Sequence, residues 1–435
     1  MIGDVLLVAA ALAAGSPASP PSSPETAASA GAAVPGPPTT VSLEDVFRIL
    51  RDRTPRTAAE RARVGIAGAE TVAARVLPNP SLDFSSTHLT SGTNTGAADV
   101  RQIVAGQPLL LFGQRRERRR SADLQVQVAE SEVAADYAER ALAARQEFAK
   151  LLVGQERASV LDDERADLDR VAKVVAGRAT AGDRSRYDAL RIDLELHQRE
   201  AELSAARADV EEASGSLAAT LGLPGWRPTA EGSLEPAGLI ATDEEALWNQ
   251  AQNNEPALVA ARRDQEAARQ EIEVARHERL PVPVLSAGGE FTQDAESTSF
   301  VAGLSLALPI LDRGQGPIAR ATARSGAADL ELAARTAQTR ARLHGAVAIL
   351  AQRRDTLERL DRDVMGRLPE VRQMSEEAYH EGQTDILDLL DALRSRAAAR
   401  LARLDALEAL IQVENEVLAL IGRADSTVTA GNPAP

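Results

Sequence analysis

The strongest constraint on this chain is that it is written twice. The stretch "AGDRSRYDALRIDLE" at 181–195 and the stretch "EGQTDILDLLDALRS" at 381–395 share one pattern. Each has Gly second, Asp six residues later and Leu two beyond: Gly182, Asp188 and Leu190, then Gly382, Asp388 and Leu390. The match extends outward. "ARVLPNPSLDFSSTH" (74–88) answers to "HERLPVPVLSAGGEF" (277–291), and "QPLLLFGQRRER" (107–118) to "LPILDRGQGPIA" (308–319), which sets Pro108 and Gly113 on Pro309 and Gly314. Gly222 falls on Gly422. A long period seen only twice implies pseudo-symmetry within one unit, not a solenoid.

The duplication divides the chain. Residues 1–15 contain an apolar run from Val5 to Ala14 and read as a secretory signal, although Asp4 precedes the run and no Lys or Arg does. Residues 16–40 form a Pro/Ser/Ala-rich linker. The first repeat occupies 41–224, a connection 225–242, the second repeat 243–424, and a tail 425–435. Each repeat opens with one helix of about ten turns, 42–76 and 243–279, ended by a Leu-Pro pair that cannot continue it. Two strand-like segments follow in each, 80–90 and 99–111, then 282–293 and 298–310. Phe300, Ala302, Leu304, Leu306 and Leu308 alternate with Gly303 and Ser305, the period-two pattern of a two-faced sheet.

No proline occurs between Pro108 and Pro224, and apolar residues there step by three, four and seven: Val126, Val133, Tyr137, Ala144, Phe148, Leu151. The second copy repeats the spacing from Leu343 to Val371. Such narrow seams belong to coiled coils. With a rise of 1.5 Å per residue, the spans from Gly113 to Gly182 and from Gly314 to Gly382 make rods of about 100 Å. Shorter helices near 184–221 and 384–421 run back, giving two hairpins with turns near 182 and 382. Pro369 predicts a kink in the second rod that the first lacks.

Composition narrows the chemistry. Aromatics are only 3% of a chain that is 44% hydrophobic, which suits closely packed Ala- and Leu-rich helices. A net charge of −15 argues against nucleic acid as a partner. There is no Cys, and the five His (88, 197, 277, 344, 380) show no helical ligand spacing, so neither a metal site nor a cofactor is expected. No phosphate loop or nucleophile elbow is present, and an enzyme is not expected. The run "RRERRR" (115–120) reads either as a solvated helix start or as an anchor for inner-leaflet phosphates; its counterpart "RGQGPIAR" is less basic.

No stretch is apolar for the ~18–20 residues of a membrane helix, whereas the strands have the length of tilted membrane strands. Four strands cannot close a barrel, and an open edge in lipid leaves backbone groups unpaired. Chains contributing four strands each reach closure above eight strands at twelve, as a trimer.

On the repeated strand-Pro-Gly and Gly-x5-Asp-x-Leu motifs, the chain resembles the outer membrane efflux proteins, the TolC-like channels, over about 42–424. "RLPEVRQMSEEAYHEGQTDILDLLDALRSR" (367–396) is most similar to the CzcC-type branch of cation and heavy-metal exporters. The fold implied is mainly α with a small β part: a homotrimer with a 12-stranded β-barrel in the outer membrane on a 12-helix periplasmic barrel. The function implied is passive exit of small solutes or cations, received from a periplasmic adaptor and an inner-membrane pump, most commonly of the RND type. The resemblance also sets the periplasmic aperture on Asp388 and Asp391, with Asp188 as their first-hairpin counterpart, and adaptor contact on the turns at Gly182 and Gly382. Pro108, Gly113, Pro309 and Gly314 are the expected strand-to-helix junctions. Thr384 stands where some relatives carry a latching Arg. The alternatives are a periplasmic adaptor, which normally has one hairpin, and a structural coiled-coil envelope protein.

Overall fold

A computed structural model of the chain describes residues 38–93, 99–180, 186–234, 236, 243–292, 297–381 and 383–426. Its first half runs β1 (Thr40–Val41), α1 (Leu43–Asp52), α2 (Pro55–Arg75), β2 (Ser81–His88), β3 (Asp99–Pro108), α3 (Gln114–Thr180) and α4 (Arg186–Thr220). The second half repeats that order as β4 (Thr229–Ala230), α5 (Glu244–Asn254), α6 (Pro256–Glu278), β5 (Val284–Thr292), β6 (Ser297–Ser305), α7 (Gln315–Arg359), α8 (Leu368–His380) and α9 (Ile386–Leu420).

The opening helices differ from the expected ten-turn rods, because each breaks in two at a proline. Pro55 and Pro256 take the first turn of α2 and α6, where a missing N–H costs nothing. The preceding Thr54 and Glu255 are extended, as a residue before proline must be. The Glu255 carboxylate then caps α6, accepting from Ala257 N at 3.2 Å and Leu258 N at 2.6 Å. The second strand of each repeat is also shorter than the alternation suggested. β3 ends at Pro108 and β6 at Ser305, so Leu306 and Leu308 lie beyond the ladder.

The second rod is jointed. A π turn at Leu360–Val364 and a 3-10 turn at Met365–Arg367 separate α7 from α8. Pro369 sits in the first turn of α8. It has no N–H for the carbonyl four residues back and its ring crowds that carbonyl, so irregularity falls on the turns before it, not at the proline. α3 runs unbroken through 67 residues.

α3 packs against α4, α6 and α9, while α9 also packs against α7 and α8. The two repeats build equivalent cores. Val46, Phe47 and Leu50 of α1 bury against Leu151, Leu217 and Leu221. Leu247, Trp248 and Ala251 of α5 bury against Leu350, Val417 and Ile421. Each fully buried Leu stabilises by roughly 1.5–3 kcal/mol, which ties the short opening helices to the middle of each rod and to the ends of the return helices α4 and α9. α4 and α9 end alike: Gly222 and Gly422 adopt φ of +67° and +77°. Leu223 N donates to Ala218 O at 2.9 Å and Arg423 N to Leu418 O at 2.7 Å, closing two Schellman caps. Sequence reading missed β1 and β4. They pair in parallel (Thr40 with Thr229, Val41 with Ala230) and stitch the start of repeat one to the inter-repeat connection.

A third cluster joins the hairpins near their turns. Leu168, Val175, Ile192, Tyr379, Leu389, Leu390 and Leu393 bury together. Gly182 and Gly382 themselves lie outside the described residues.

Candidate functional site

The strands form one antiparallel sheet, β2-β3-β5-β6, leaving β2 and β6 at its edges. Register assigns every side chain to one of two faces, since residues directly opposite share a face. Leu82 pairs with Ala105 and Phe84 with Ile103 across β2–β3. Ile103 pairs with Gly289 and Ala105 with Ala287, and these pair in turn with Phe300 and Ala302. One face is therefore apolar through its middle. It is also bare: Leu82 is 75% exposed, Phe300 79% and Leu304 69%. The opposite face carries Asp83, Ser85, Gln102, Val104, Ser286, Glu290, Val301 and Gly303. Gly288 is required there, because a Cβ would strike the Ile103 carbonyl.

The expected junction residues stand at equivalent places. Pro108 ends β3 and Pro309 lies four residues beyond β6. Gly113 and Gly314 precede α3 and α7 with φ of +86° and +72°, a region that side chains with a Cβ avoid. The next residue repeats too. Gln114 Oε1 accepts from Phe112 N at 3.0 Å, and Gln315 Oε1 accepts from Arg313 N at 2.7 Å. Below the first junction Glu117 is buried, accepting from Gln270 at 2.8 Å and Arg116 at 2.7 Å. The Gln270 hydrogen bond, aided by Arg116, holds its carboxyl below the ordinary range.

At the other end, the Asp385 side chain caps α9 by accepting from Leu387 N at 2.8 Å and Asp388 N at 3.0 Å. Asp388 and Asp391 are three residues apart on α9, and both are exposed. Asp188 is in the first turn of α4 and is half-buried. The two aspartates of α9 therefore share a face that the hairpin core does not cover.

The two hairpins are bolted together by charge that sequence reading did not find. Arg394 on α9 grips buried Glu195 on α4, and Arg396 on α9 reaches Asp167 on α3 at 2.7 Å. The Arg394 hydrogen bond keeps the Glu195 carboxyl below its usual range. Glu164 is different: burial pushes its carboxyl up despite Arg396, Arg199 and Arg400 nearby, and its Oε1 has no hydrogen-bond partner. Burial also lowers the Arg145 guanidinium to about 10. The only sequence signal for these pairs was polar residues on the apolar seams. Among the described residues, no group of three or more His, Cys, Asp or Glu is placed to hold a metal ion, and no helix is long and apolar enough to cross a membrane.

A four-stranded sheet, bare on its apolar face and carried on two long helical hairpins, is the TolC-like fold. Residues 247–423, within the second repeat, match the family described as outer membrane efflux protein. The cobalt-zinc-cadmium resistance protein CzcC of Cupriavidus metallidurans is 26% identical over 244 residues, 56% of this chain and 57% of that protein. The alignment thus spans a little over half the length of that curated relative. Among solved structures, CusC superposes with a TM-score of 0.70 at 17% identity, covering 88% of this chain and 93% of that one. The outer-membrane channel OprN gives 0.69 at 20% identity, with 87% and 89% covered. The outer membrane protein VceC of Vibrio cholerae gives 0.68 at 16% identity, with 87% and 96% covered.

Proposed function

We propose that three copies of this chain close a barrel in the outer membrane above a periplasmic tube of helices. The assembly is a passive exit duct of a tripartite efflux system. The observation that carries this reading is the sheet: its Leu- and Phe-bearing face has no protein covering, and β2 and β6 each lack a neighbour on one side among the described residues. Lipid satisfies the first, and strands of further copies satisfy the second. A lone four-stranded sheet satisfies neither. The opposite face, with serines, Gln102, Asp83 and Glu290, then lines water. Two hairpins in one chain favour a duct over an adaptor.

The cargo is small cations or other small solutes, delivered by a periplasmic adaptor and an inner-membrane pump of the RND type. The name of the CzcC relative speaks of cobalt, zinc and cadmium resistance, which supports the cation branch. Asp388 and Asp391, with Asp188 as their first-hairpin counterpart, form the aperture. Three copies bring their exposed carboxylates around one axis, where they favour cations over anions. The turns at Gly182 and Gly382 meet the adaptor. A wide duct need not bind what passes through it, so no resident metal is required.

The test is direct. The chain is purified from the outer membrane fraction, its copy number read by native mass spectrometry, and its conductance measured in planar bilayers. Three copies and discrete conductance steps are expected. A stable, water-soluble single chain without conductance would remove the reading.

A further inference from the structure

The basic run at the start of α3 is not accounted for by the channel wall or by the tip. Five of the seven residues from Gln114 to Arg120 are arginine. A helix N-terminus carries the positive end of the helix dipole, so cations there oppose their own helix. Carboxylates answer some of them. Arg116 meets Glu117 at 2.7 Å and Arg118 meets Glu278 at 2.9 Å, while Arg115 donates to the Arg75 carbonyl at 2.7 Å. Arg119 and Arg120 are exposed and form no ion pair among the described residues. The second repeat adds to the same level. α7 has no acidic residue in its first turn, and Arg320, one turn on, is exposed and likewise without an ion pair among the described residues.

Immediately on the strand side of these arginines lies an uncovered apolar belt. Leu111, Leu308, Ile310 and Leu311 are all exposed, Leu311 at 89%. They fill the two segments between sheet and helix, 109–113 and 306–314, whose far ends are Gly113 and Gly314. With a rise of 1.5 Å per residue, Arg119 and Arg120 sit within roughly 10 Å of the start of α3. An apolar belt followed within one head-group depth by unpaired arginines is the pattern of a surface that crosses from hydrocarbon into phosphate.

We infer that Arg119, Arg120 and Arg320 form a collar that binds the anionic phospholipid head groups of the leaflet facing the helices. The belt of Leu111, Leu308, Ile310 and Leu311 seats in the acyl region above. This rests on the proposed placement of the sheet in a bilayer. The head-group phosphates supply the counter-charge for Arg119, Arg120 and Arg320. The guanidinium groups fix the depth at which the sheet ends and the helices begin, and in an assembly of three copies the collar encircles the duct.

The experiment uses the full-length chain. It is reconstituted into vesicles of phosphatidylcholine alone or of phosphatidylcholine with phosphatidylglycerol, then extracted gently. Lipid retained per chain is counted by native mass spectrometry. The wild-type chain is expected to retain phosphatidylglycerol selectively, and added salt should weaken the selectivity. Each of Arg119→Gln, Arg120→Gln and Arg320→Gln should lower it roughly fivefold. The corresponding lysine substitutions should preserve it, and Arg207→Gln, on the exposed side of α4 beside Asp162, should leave it unchanged. Equal retention of the two lipids by the wild type, or a preference that survives the triple glutamine variant, overturns the collar alone. Failure of the wild type to insert into either vesicle overturns the membrane placement as well.

Discussion

Arg394 on α9 holds Glu195 on α4 with two guanidinium nitrogens, Nε at 2.8 Å from Oε1 and Nη2 on Oε2. In the duplicated frame these are neighbouring positions, because Glu195 corresponds to Ser395 at the 200-residue offset. Residues at equivalent heights of the two hairpins therefore face one another, and this one pair joins the repeats along their pseudo-symmetry. Arg394→Ala leaves a buried carboxylate without its partner and should cost about 2–3 kcal/mol, the half-exposed guanidinium placing it below a fully buried pair. Replacing both residues by glutamine should cost less than the single change. Thermal melting of the two variants compares them.

Glu195 and Glu164 should respond to pH with opposite sign. The Glu195 carboxyl is held down by Arg394, so its contribution is complete above the ordinary carboxylate pKa and disappears as pH falls through its lowered native value. The Glu164 carboxyl is pushed up by burial, so its neutral form favours the fold in acid and that benefit is lost as pH rises through its raised native value. Glu164→Gln should thus raise the melting temperature at neutral pH, with a gain that shrinks toward zero in acid. A gain independent of pH would point to something other than the charge.

Phe300 and Ser299 are adjacent on β6 but belong to opposite faces. In the proposed bilayer placement, Phe300→Arg puts a cation against lipid and Ser299→Arg one against water; the first should cost about 2–4 kcal/mol near mid-membrane, visible as lost yield in the outer membrane fraction. Ser299→Arg should insert normally while lowering cation preference. Equal yields of the two would contradict the facing drawn from the register.

Gly113 and Gly314 turn the chain from sheet to helix with positive φ. Alanine at either site strains the backbone by roughly 1–2 kcal/mol. Gly314→Ala should cost more than Gly113→Ala, because its Cβ would come 2.9 Å from the Arg279 Cβ whereas the other meets only the edge of the His277 ring at 3.2 Å. Chemical denaturation of the two variants should rank them in that order.

Asp388→Asn with Asp391→Asn removes the exposed carboxylates of α9 near the hairpin turn. Leak through the reconstituted channel should rise and its cation preference fall, read from the reversal potential in a salt gradient. An unchanged reversal potential would take these two residues out of the aperture.

What the sequence determined by itself was everything governed by local chemistry and by its own repetition. The 200-residue offset predicted two equivalent hairpins, and the helix-period seams with no proline from Pro108 to Pro224 predicted a long first rod, which α3 is. Period two at Phe300, Ala302 and Leu304 named a two-faced strand, and the repeat matched Gly113 to Gly314, whose positive φ the structure then added. Prolines were read less well. Pro55 and Pro256 were overlooked, although each breaks an opening helix at the same point of its repeat. Pro369 was read as the kink, but the irregularity spreads over 360–367, since it is the preceding turn whose carbonyls lose their donor.

Only the tertiary structure decided which residues meet. The pairings of Arg394 with Glu195 and of Arg396 with Asp167 span 199 and 229 residues, and no local pattern encodes which of many arginines faces which carboxylate. The strands β1 and β4 are two residues each, too short for any periodicity, and exist because the fold brings Thr40 to Thr229. The order β2-β3-β5-β6 joins one repeat to the other through the ladder from Val100–Pro108 to Val284–Thr292, and among the described residues it leaves the outer edges open. Propensity is a property of neighbours in sequence, whereas register, burial and charge pairing are properties of neighbours in space.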